Sequence, residues 1–366
     1  MGKDRQPDAD LLKMRNRQAG LSIVEIMIAM TLGLILLTAV GGFYVAQHRN
    51  QRELSNQFAQ IENGRYAMDV LTKYLENAGY YGNYVYMDDF PSASASLPSA
   101  CETSFQYMYS TATGTNALAF AVQGATSATI SATFPCIPSA NLYSDNDAFL
   151  VREVDPSPVA SSSLVGRNIY LQAVARLKGP VITTGSNVAS FTLTNLDGSA
   201  GEIRRYPPRI FYIGRCLDAS GGTCSSGSDV PTLRMLELGD TGTATGFSDS
   251  PMVEGIERMV IEYGLDLKGS NHSYVDASGV TQVVQYDGAP DSYSRSLTTT
   301  NEWARVVALR ITLLARAGKI TAGYSDTRSY TLASGVSYTP SGTAANYKRK
   351  LFRKTIYLIN VGSRRK

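Results

Sequence analysis

The hydrophobic pattern separates an apolar segment near the N-terminus from the rest of the chain. Residues 26–46 are 21 consecutive positions without a formal charge. At a rise of about 1.5 Å per residue, a helix of this length spans the apolar core of a bilayer. Residues 47–53 are polar and end the run abruptly. The pattern predicts a single membrane-spanning helix.

A helical period continues beyond the apolar run, but on one side only. Apolar residues recur at spacings of three, four or seven, and charged residues stand between them; the apolar set is Leu54, Phe58, Ile61, Met68, Leu71, Leu75 and Ala78. This is the pattern of a helix with one buried face. Gly79 follows as a helix C-cap. We therefore expect one helix over residues 21–79, whose second half packs on a globular head.

From residue 80 the pattern changes to short alternating runs separated by Gly, Ser, Asn, Asp and Pro, which predicts a β-rich head over residues 80–366. In the run 306–315 the alternation predicts a strand with one buried face and a charged outer face. The pattern predicts long loops at residues 88–100 and 239–250. The loop 239–250 is expected to divide the head into two lobes. The predicted strands are 117–122, 128–134, 148–154, 168–175, 190–195, 209–215, 232–238, 259–265, 280–286, 306–315 and 351–361.

Composition agrees with an exported protein. Only 18% of the 366 residues are charged, and the formal net charge is +3. All four cysteines follow the apolar run, and an even number beyond a membrane segment suits two disulfides in an oxidising compartment. Of the three possible pairings, proximity favours Cys101 with Cys136 and Cys216 with Cys224. Four reduced, buried cysteines are the alternative.

The leader before the apolar run argues against a secretory signal peptide. Residues 1–20 carry five basic and three acidic side chains, a net charge of +2 that favours a cytoplasmic N-terminus. A secretory signal has its small-residue cleavage site after the apolar core. Here the small pair Ala19-Gly20 stands before it. Cleavage at this pair would leave the apolar helix on the mature protein.

Glu25 is the one carboxylate beside the apolar run, and it suggests a function. A carboxylate at the centre of a membrane helix costs about 2.5–3.5 kcal/mol on insertion scales. Ser22 and Glu25 have the spacing of a capping box, and a helix N-terminus favours negative charge, so part of this cost is offset. An interfacial glutamate that only caps the helix is the alternative interpretation.

The segment Gly20-Leu21-Ser22-Ile23-Val24-Glu25, followed by an apolar helix, resembles the class III signal of type IV pilins and pseudopilins. The resemblance implies that a prepilin peptidase cuts between Gly20 and Leu21 and N-methylates Leu21. It also implies that Glu25 pairs with the N-terminal amine of a neighbouring subunit during assembly. Two adjacent glycines, Gly41 and Gly42, weaken a helix by about 1 kcal/mol each. They fall where many pilins carry a helix-loosening proline, which implies local flexibility.

Four further blocks resemble the PilW family of minor pilins, whereas residues 83–250 show no resemblance. The blocks are residues 63–82, 253–266, 303–314 and 347–360. The implied fold class is α+β, a type IV pilin fold with a long N-terminal transmembrane and assembly helix packed on a β-rich head. The implied function is a minor pilin that helps prime pilus assembly at or near the pilus tip. It would support twitching motility, adhesion and DNA uptake.

The resemblance also implies partners and a location. The partners would be other minor pilins, the major pilin, a PilY-type tip adhesin, the prepilin peptidase and the inner-membrane platform. The chain would be held in the inner membrane by a single span, with its N-terminus cytoplasmic and its head periplasmic, and would then join the pilus on the cell surface. A type II secretion pseudopilin of the J class, and a tip adhesin or DNA receptor that binds ligand through its head, are the alternatives.

No arrangement of residues typical of an enzyme is present in the sequence. With only two histidines and no Cys-x-x-Cys pair, we expect no catalytic triad, no metal site and no cofactor. Asp145-Asn146-Asp147 could supply oxygen ligands for calcium, but it lacks the full loop spacing, and turn formation is the better interpretation.

A basic cluster lies near the C-terminus. Its members are Lys348, Arg349, Lys350, Arg353 and Lys354, followed by Arg364, Arg365 and Lys366, with no acid between them. Such a cluster attracts acidic surfaces or phosphate backbones. Three interpretations stay open: a solubilising edge strand, a docking patch for an acidic pilin or tip partner, and a site for DNA or phospholipid.

Overall fold

The computed structural model describes residues 20, 22–84, 97–110, 115–174, 179–218, 224, 230–267, 272–275, 281–284 and 287–363. The leader 1–19, Leu21, most of the predicted loop 88–100 and the terminal residues 364–366 lie outside this part of the chain. Two compact units are present, Met1–Ser55 and Asn56–Lys366.

The predicted N-terminal helix is observed as one uninterrupted element, α1, over Ile23–Asn77. It ends just before the predicted C-cap, because Gly79 adopts a positive φ of 76° that side-chain-bearing residues rarely take. The Gly79 N–H donates to the carbonyl of Arg152 at 2.9 Å, which joins the helix end to the head.

The remaining elements of the described chain are short helices and many short strands. The helices are α2 (Ile130–Thr133), α3 (Thr300–Ala304) and α4 (Ile359–Gly362). The strands are β1 (Tyr109–Ser110), β2 (Thr115–Asn116), β3 (Val122–Ala125), β4 (Ala148–Val151), β5 (Ile169–Ala173), β6 (Val181–Thr184), β7 (Glu202–Arg205), β8 (Arg209–Gly214), β9 (Thr232–Asp240), β10 (Thr245–Glu254), β11 (Ile256–Leu265), β12 (His272–Val275), β13 (Thr281–Val284), β14 (Ser292–Ser294), β15 (Val306–Arg316), β16 (Tyr330–Ala333), β17 (Val336–Tyr338) and β18 (Arg349–Tyr357).

A four-stranded antiparallel sheet in the order β14-β11-β15-β18 carries the second half of α1. Helix residues Ala67, Leu71 and Leu75 are fully buried in one core with residues of β11, β15 and β18. Burying each large apolar side chain in this way contributes roughly 1.5–3 kcal/mol, so the helix is firmly attached to the sheet.

A five-stranded sheet in the order β10-β9-β8-β4-β3 continues the same core, and a three-stranded sheet, β6-β5-β7, has a core of its own. Phe149 and Phe211 stack in the shared core with ring centroids 5.3 Å apart, and Tyr74 of α1 packs on Phe211. The fold class expected from the sequence, α+β with a long N-terminal helix and a β-rich head, is confirmed.

The segment Asp145-Asn146-Asp147, for which turn formation was preferred over calcium binding, completes an edge of β11. The side chain of Asn146 accepts from the N–H of Met259, and the Asp147 carboxylate accepts from the N–H of Ile261. Asp145 adopts a positive φ of 59°, as turn-forming aspartates do. These side chains therefore have a structural role at the edge of β11.

Some predicted strands are wrong. Residues 117–119 and 130–133 form single helical turns, and residues 190–195 contain only an isolated β-bridge at Thr194. Apolar and polar residues alternate in these segments because some side chains are buried and others are not, but no neighbouring strand among the described residues pairs with them. The predicted C-terminal strand ends at Tyr357, since residues 359–362 form α4. The predicted strand 280–286 is observed over 281–284, and its ends lie outside the described residues.

The loop predicted over 239–250 is also wrong. This segment forms the turn and much of one strand of the β9–β10 hairpin. Its Gly, Ser, Asp and Pro residues suit an edge strand, and the register shifts between Pro251 and Val253, where a proline is tolerated. Because both strands belong to one sheet, the segment is a structural part of the head and not a linker.

The expected charged outer face of β15 is covered. Thr312 is 1% exposed and Leu314 is fully buried, because the β16–β17 hairpin packs on that side through Leu332. Arg310 stacks on Tyr293. The strand therefore contributes to two cores, which its own alternation does not indicate.

Candidate functional site: the N-terminal helix and the basic strand

The first turn of α1 places Glu25 at the helix start. The carbonyl of Ser22 accepts from the N–H groups of Glu25 and Ile26 at 3.0 and 3.1 Å. A carboxylate in this turn interacts favourably with the helix dipole. Gly20 is exposed and lies outside any helix or strand, and Leu21 is not among the described residues.

The first half of α1 presents an apolar surface that no other described residue of its own unit covers. Leu37 and Phe43 are 73% and 72% exposed, and the most hydrophobic 18-residue window has no buried residue. This helix is long and apolar enough to cross a bilayer. The hydroxyls of Thr31 and Thr38 donate to carbonyls three residues earlier in the helix, so they need no partner in an apolar medium.

Gly41 and Gly42 lie inside the unbroken helix. A Cβ at either position would meet no atom within 4 Å, so no packing among the described residues requires a glycine there. Their proposed role in helix flexibility depends on the low helix propensity of glycine, not on a contact.

The second half of α1 is fixed to the head by polar contacts as well as by the core. The buried amide of Gln60 donates to the carbonyls of Ala315 and Lys348 at 2.6 and 2.9 Å. One turn further on, Gly64 lies directly against the ring of Phe352 in β18, and a Cβ at this position would clash with that ring. Gly64 therefore permits a close approach between helix and strand.

One member of the predicted basic patch, Arg349, is not a surface residue. Its guanidinium donates to both carboxylate oxygens of Glu257, at 2.6 and 3.0 Å, and both side chains are fully buried. It also lies 3.4 Å from Asp326. The assignment of Arg349 to a docking patch is wrong, because this residue holds β18 to β11 from inside the head.

Asp326 is the second carboxylate of this buried cluster. Burial alone would raise the pKa of Asp326, but hydrogen bonds from Arg328 and Tyr330 outweigh burial and lower that pKa. The carboxylate therefore stays ionised beside Arg349.

The other cluster members are more accessible. Lys350 and Lys354 are exposed on β18, and Lys348 lies over the ring of Tyr324. Arg353 is exposed but donates to the Thr312 hydroxyl and to carbonyls of β16. The predicted docking patch therefore consists of a few exposed side chains on β18, an edge strand of its sheet. Lysines on edge strands also suppress unwanted strand pairing.

The two disulfides have the pairing that proximity favours. Cys101 is bonded to Cys136 across 35 residues, and Cys216 to Cys224 across eight. Both close loops around the five-stranded sheet, since the first packs in the core that contains β3, β4 and β8, and Cys216 follows β8.

A buried group of charges lies under Tyr74 of α1. Arg209 donates to Glu153 at 2.6 Å and to Glu237 at 2.7 Å, and its guanidinium covers the ring of Tyr74. Burial raises the pKa of Glu153 to about 7, although Arg209 acts in the opposite direction. The group joins the helix to the five-stranded sheet.

No group of three or more metal-binding side chains is found within the described residues.

Two family models match the chain, and they match its two ends. Residues 15–41 match the prokaryotic N-terminal methylation motif, and residues 210–360 match the family described as type IV pilus-assembly protein W. The second match begins at residue 210, so it includes about forty residues of the segment 83–250, which was expected to show no resemblance. No curated protein matches the sequence.

One solved structure with some likeness is a type IV-like pilin from Thermus thermophilus. It shares 13% identity, covers 61% of this chain and 80% of its own, and has a TM-score of 0.26, which is too low to support an inference. The two family matches both support a pilin-type chain, one through the N-terminal methylation motif and the other through the head. The resemblance to the PilW family of minor pilins is confirmed.

Sequence reasoning missed the buried partners of the basic strand. Glu257 and Asp326 are 92 and 23 residues away from Arg349 in the chain, and no local pattern connects them. The alternation of β18 did indicate that Arg349 is buried. Residues two apart on a strand lie on the same face, and Arg349 lies two residues before Leu351, which packs under the β16–β17 hairpin.

Proposed function

We propose that this protein is a minor pilin of the type IV pilus that helps prime filament assembly and lies at or near the pilus tip. The observation that carries the proposal is the exposed apolar helix with Glu25 in its first turn, on a chain whose other end matches the pilus-assembly protein W family. Twitching motility, adhesion and DNA uptake would follow from the pilus.

The proposed mechanism concerns the charge of Glu25. In the inner membrane, before assembly, the single span holds the head in the periplasm. The prepilin peptidase cuts after Gly20, methylates the amine of Leu21 and leaves the apolar helix in place. A desolvated carboxylate attracts a cation strongly, so Glu25 pairs with the N-terminal amine of an adjacent subunit. The apolar surface of α1 then exchanges lipid for neighbouring pilin helices.

The proposed partners follow from this mechanism. They are the other minor pilins and the major pilin, which supply helices, together with the prepilin peptidase, the inner-membrane platform and a PilY-type adhesin at the tip. The Gly41-Gly42 pair is proposed to let the helix bend when it moves from bilayer to filament.

The experiment that tests the proposal is substitution of Glu25 in the producing cell. Glu25→Ala should leave the chain in the membrane at wild-type abundance but lower the number of surface pili. Glu62→Ala, an exposed acid on the same helix beyond the apolar run, is the matched control. A Glu25→Ala strain with as many pili as the control would contradict the assembly role.

A further inference from the structure

The end of the head at which the chain enters it is identified by contacts along β18. Gln60, near the start of the head's part of α1, donates to the carbonyl of Lys348, just before β18. Asn360, just after β18, donates to the carbonyl of Glu76, near the end of α1. β18 therefore runs in the same direction as α1. Because β15 pairs antiparallel with β18, β15 runs the opposite way and ends where the chain enters the head.

The loop that follows β15, residues 317–324, lies at this end and is called the entry loop. The N–H groups of Ala317 and Thr321 each donate at 2.9 Å to a carbonyl of the segment just before β18, so the loop is fixed to the head. Between these two anchors, Lys319 and Ile320 both project into solvent, and Ile320 is 58% exposed. The entry loop therefore presents a cation and an aliphatic side chain next to each other.

The surroundings of the entry loop are mainly basic. Four cations lie on the loop or next to it: Arg316, Lys319, Lys348 and Lys350. Arg316 and Lys348 lie over the rings of Tyr347 and Tyr324. An exposed acid, Glu254, borders the group, because its neighbour Gly255 accepts the N–H of Arg316. Positive charge is in excess, so this end of the head attracts anionic surfaces.

The length of the chain limits how far this end can lie from the apolar run. Nine residues, 47–55, separate the run 26–46 from the start of the head at Asn56. As a helix they rise by about 14 Å, and fully extended they reach about 30 Å. These nine residues include two arginines and one glutamate. If the run spans a bilayer, as the proposed function requires, the basic end of the head is held near the headgroups of that bilayer.

The residue types of the entry loop favour a lipid surface over a nucleic acid. Cations alone serve a phosphate backbone, and an exposed aliphatic side chain adds nothing there. At a bilayer surface, lysines meet lipid phosphates while aliphatic and tyrosine side chains enter the boundary between headgroups and acyl chains. Ile320, with Lys319 before it and Tyr324 after it, matches the second case.

We propose that the entry loop and its neighbouring cations dock on anionic phospholipid headgroups of the bilayer that holds α1. Lys319 and Lys350 contact lipid phosphates, and Ile320 inserts between the headgroups. This contact orients the head on the membrane before assembly, and it is released when the subunit leaves the bilayer for the filament. The inference rests on the proposed membrane location of α1 and adds to it the class of lipid that the head recognises.

The test uses the full chain in vesicles of phosphatidylcholine, with or without phosphatidylglycerol, whose acyl chains carry bromine near the headgroup. Bromine quenches tryptophan fluorescence at short range, so an Ile320→Trp variant reports insertion of the entry loop. The native Trp303 is 5% exposed and gives the same background in every variant. Quenching in Ile320→Trp should be several-fold stronger with phosphatidylglycerol than without it, and high salt should weaken it.

A matched reporter and matched charge variants locate the contact. Leu196 is 85% exposed in the loop before β7, the strand that contacts Gly82 beyond the end of α1, so Leu196→Trp should not be quenched in either vesicle. In the Ile320→Trp chain, Lys319→Gln should lower the ratio of docked to undocked heads by roughly five-fold. Lys73→Gln removes an exposed lysine near the end of α1 and should change nothing.

Flotation of the vesicles separates the possible failures. A chain that floats with the vesicles, but whose Ile320→Trp signal is quenched equally with and without phosphatidylglycerol, overturns this inference and leaves the membrane anchor intact. A chain that does not float overturns the membrane location itself. Equal quenching in Lys319→Gln and Lys73→Gln would also overturn the inference. So would Lys319-dependent retention of duplex DNA by a chain that shows no quenching, because the basic surface would then serve DNA.

Discussion

Arg349 and Glu257 form a two-point ion pair in which neither side chain has any solvent exposure. The pair joins the edge strand β18 to β11, although β15 lies between these strands in the sheet. It also changes the interpretation of the C-terminal basic cluster, since its second residue is part of the interior of the head.

Removing one partner of this pair should be costly. Arg349→Met leaves the Glu257 carboxylate buried without its cation, and loss of one partner of a buried pair typically costs about 3–5 kcal/mol. The free energy of unfolding, from denaturant titration of the full chain, measures this. Lys350→Met, the exposed neighbour, should change stability by no more than about 0.5 kcal/mol. Equal effects of the two substitutions would refute the structural role of Arg349.

Gly64 should tolerate no side chain. Gly64→Ala puts a Cβ into the ring of Phe352, so either this ring or helix α1 must move, and the head should lose stability by about 1–3 kcal/mol. Gly42→Ala, in the same helix where a Cβ meets nothing, should be neutral or stabilise the helix by up to about 1 kcal/mol. Protease resistance of the head distinguishes them; greater sensitivity in Gly42→Ala than in Gly64→Ala would contradict the packing.

Glu153 should make stability depend on pH. Its pKa is about 7 in the folded chain against an ordinary value of 4.5, chiefly because it is buried. Between these values the folded chain binds more protons than the unfolded chain, so the contribution of Glu153 to stability falls as pH rises from about 4.5 to 7 and is constant outside that window. The decrease is at most about 3 kcal/mol.

The measurement for Glu153 is the free energy of unfolding across pH for the wild type and for Glu153→Gln. The free energy of unfolding of the wild type should fall relative to that of Glu153→Gln as pH rises through this window. Curves that stay parallel from pH 4.5 to 8 would show that Glu153 does not titrate in that range.

The two disulfides should contribute unequally. In the chain-entropy account, closing the 35-residue separation of Cys101 and Cys136 stabilises by about 4 kcal/mol, and the eight-residue separation of Cys216 and Cys224 by about 2.5 kcal/mol. The paired serine substitutions at each bridge, compared by thermal unfolding, should preserve that order. A larger loss from opening Cys216–Cys224 would contradict it.

The sequence predicts the helix and the long inner strands well because local periodicity determines them. The apolar run and the one-sided period that follows predict α1 to within two residues at each end. Residues 209–214 and 306–316 are recognised as strands because their apolar residues lie close together in the chain.

The missed features depend on contacts between distant segments. The sequence of the edge strand β10 predicts a loop because its Ser and Pro residues face solvent, and only the pairing with β9 makes it a strand. Arg349 and Arg152 are buried because other elements fold over them, which neither residue's neighbours in sequence indicate. Of the candidate site, Glu25 and the apolar run are visible from sequence, but the burial of Arg349 is not.

The mature N-terminus of the protein tests the central claim most directly. Mass analysis of the chain from cells with an active prepilin peptidase should find a first residue of Leu21 that carries one methyl group on its amine. Cells that lack the peptidase should retain the leader. A chain that keeps Met1 in both strains, or one cut beyond residue 46, would contradict the assignment of α1 as the assembly helix of a pilin.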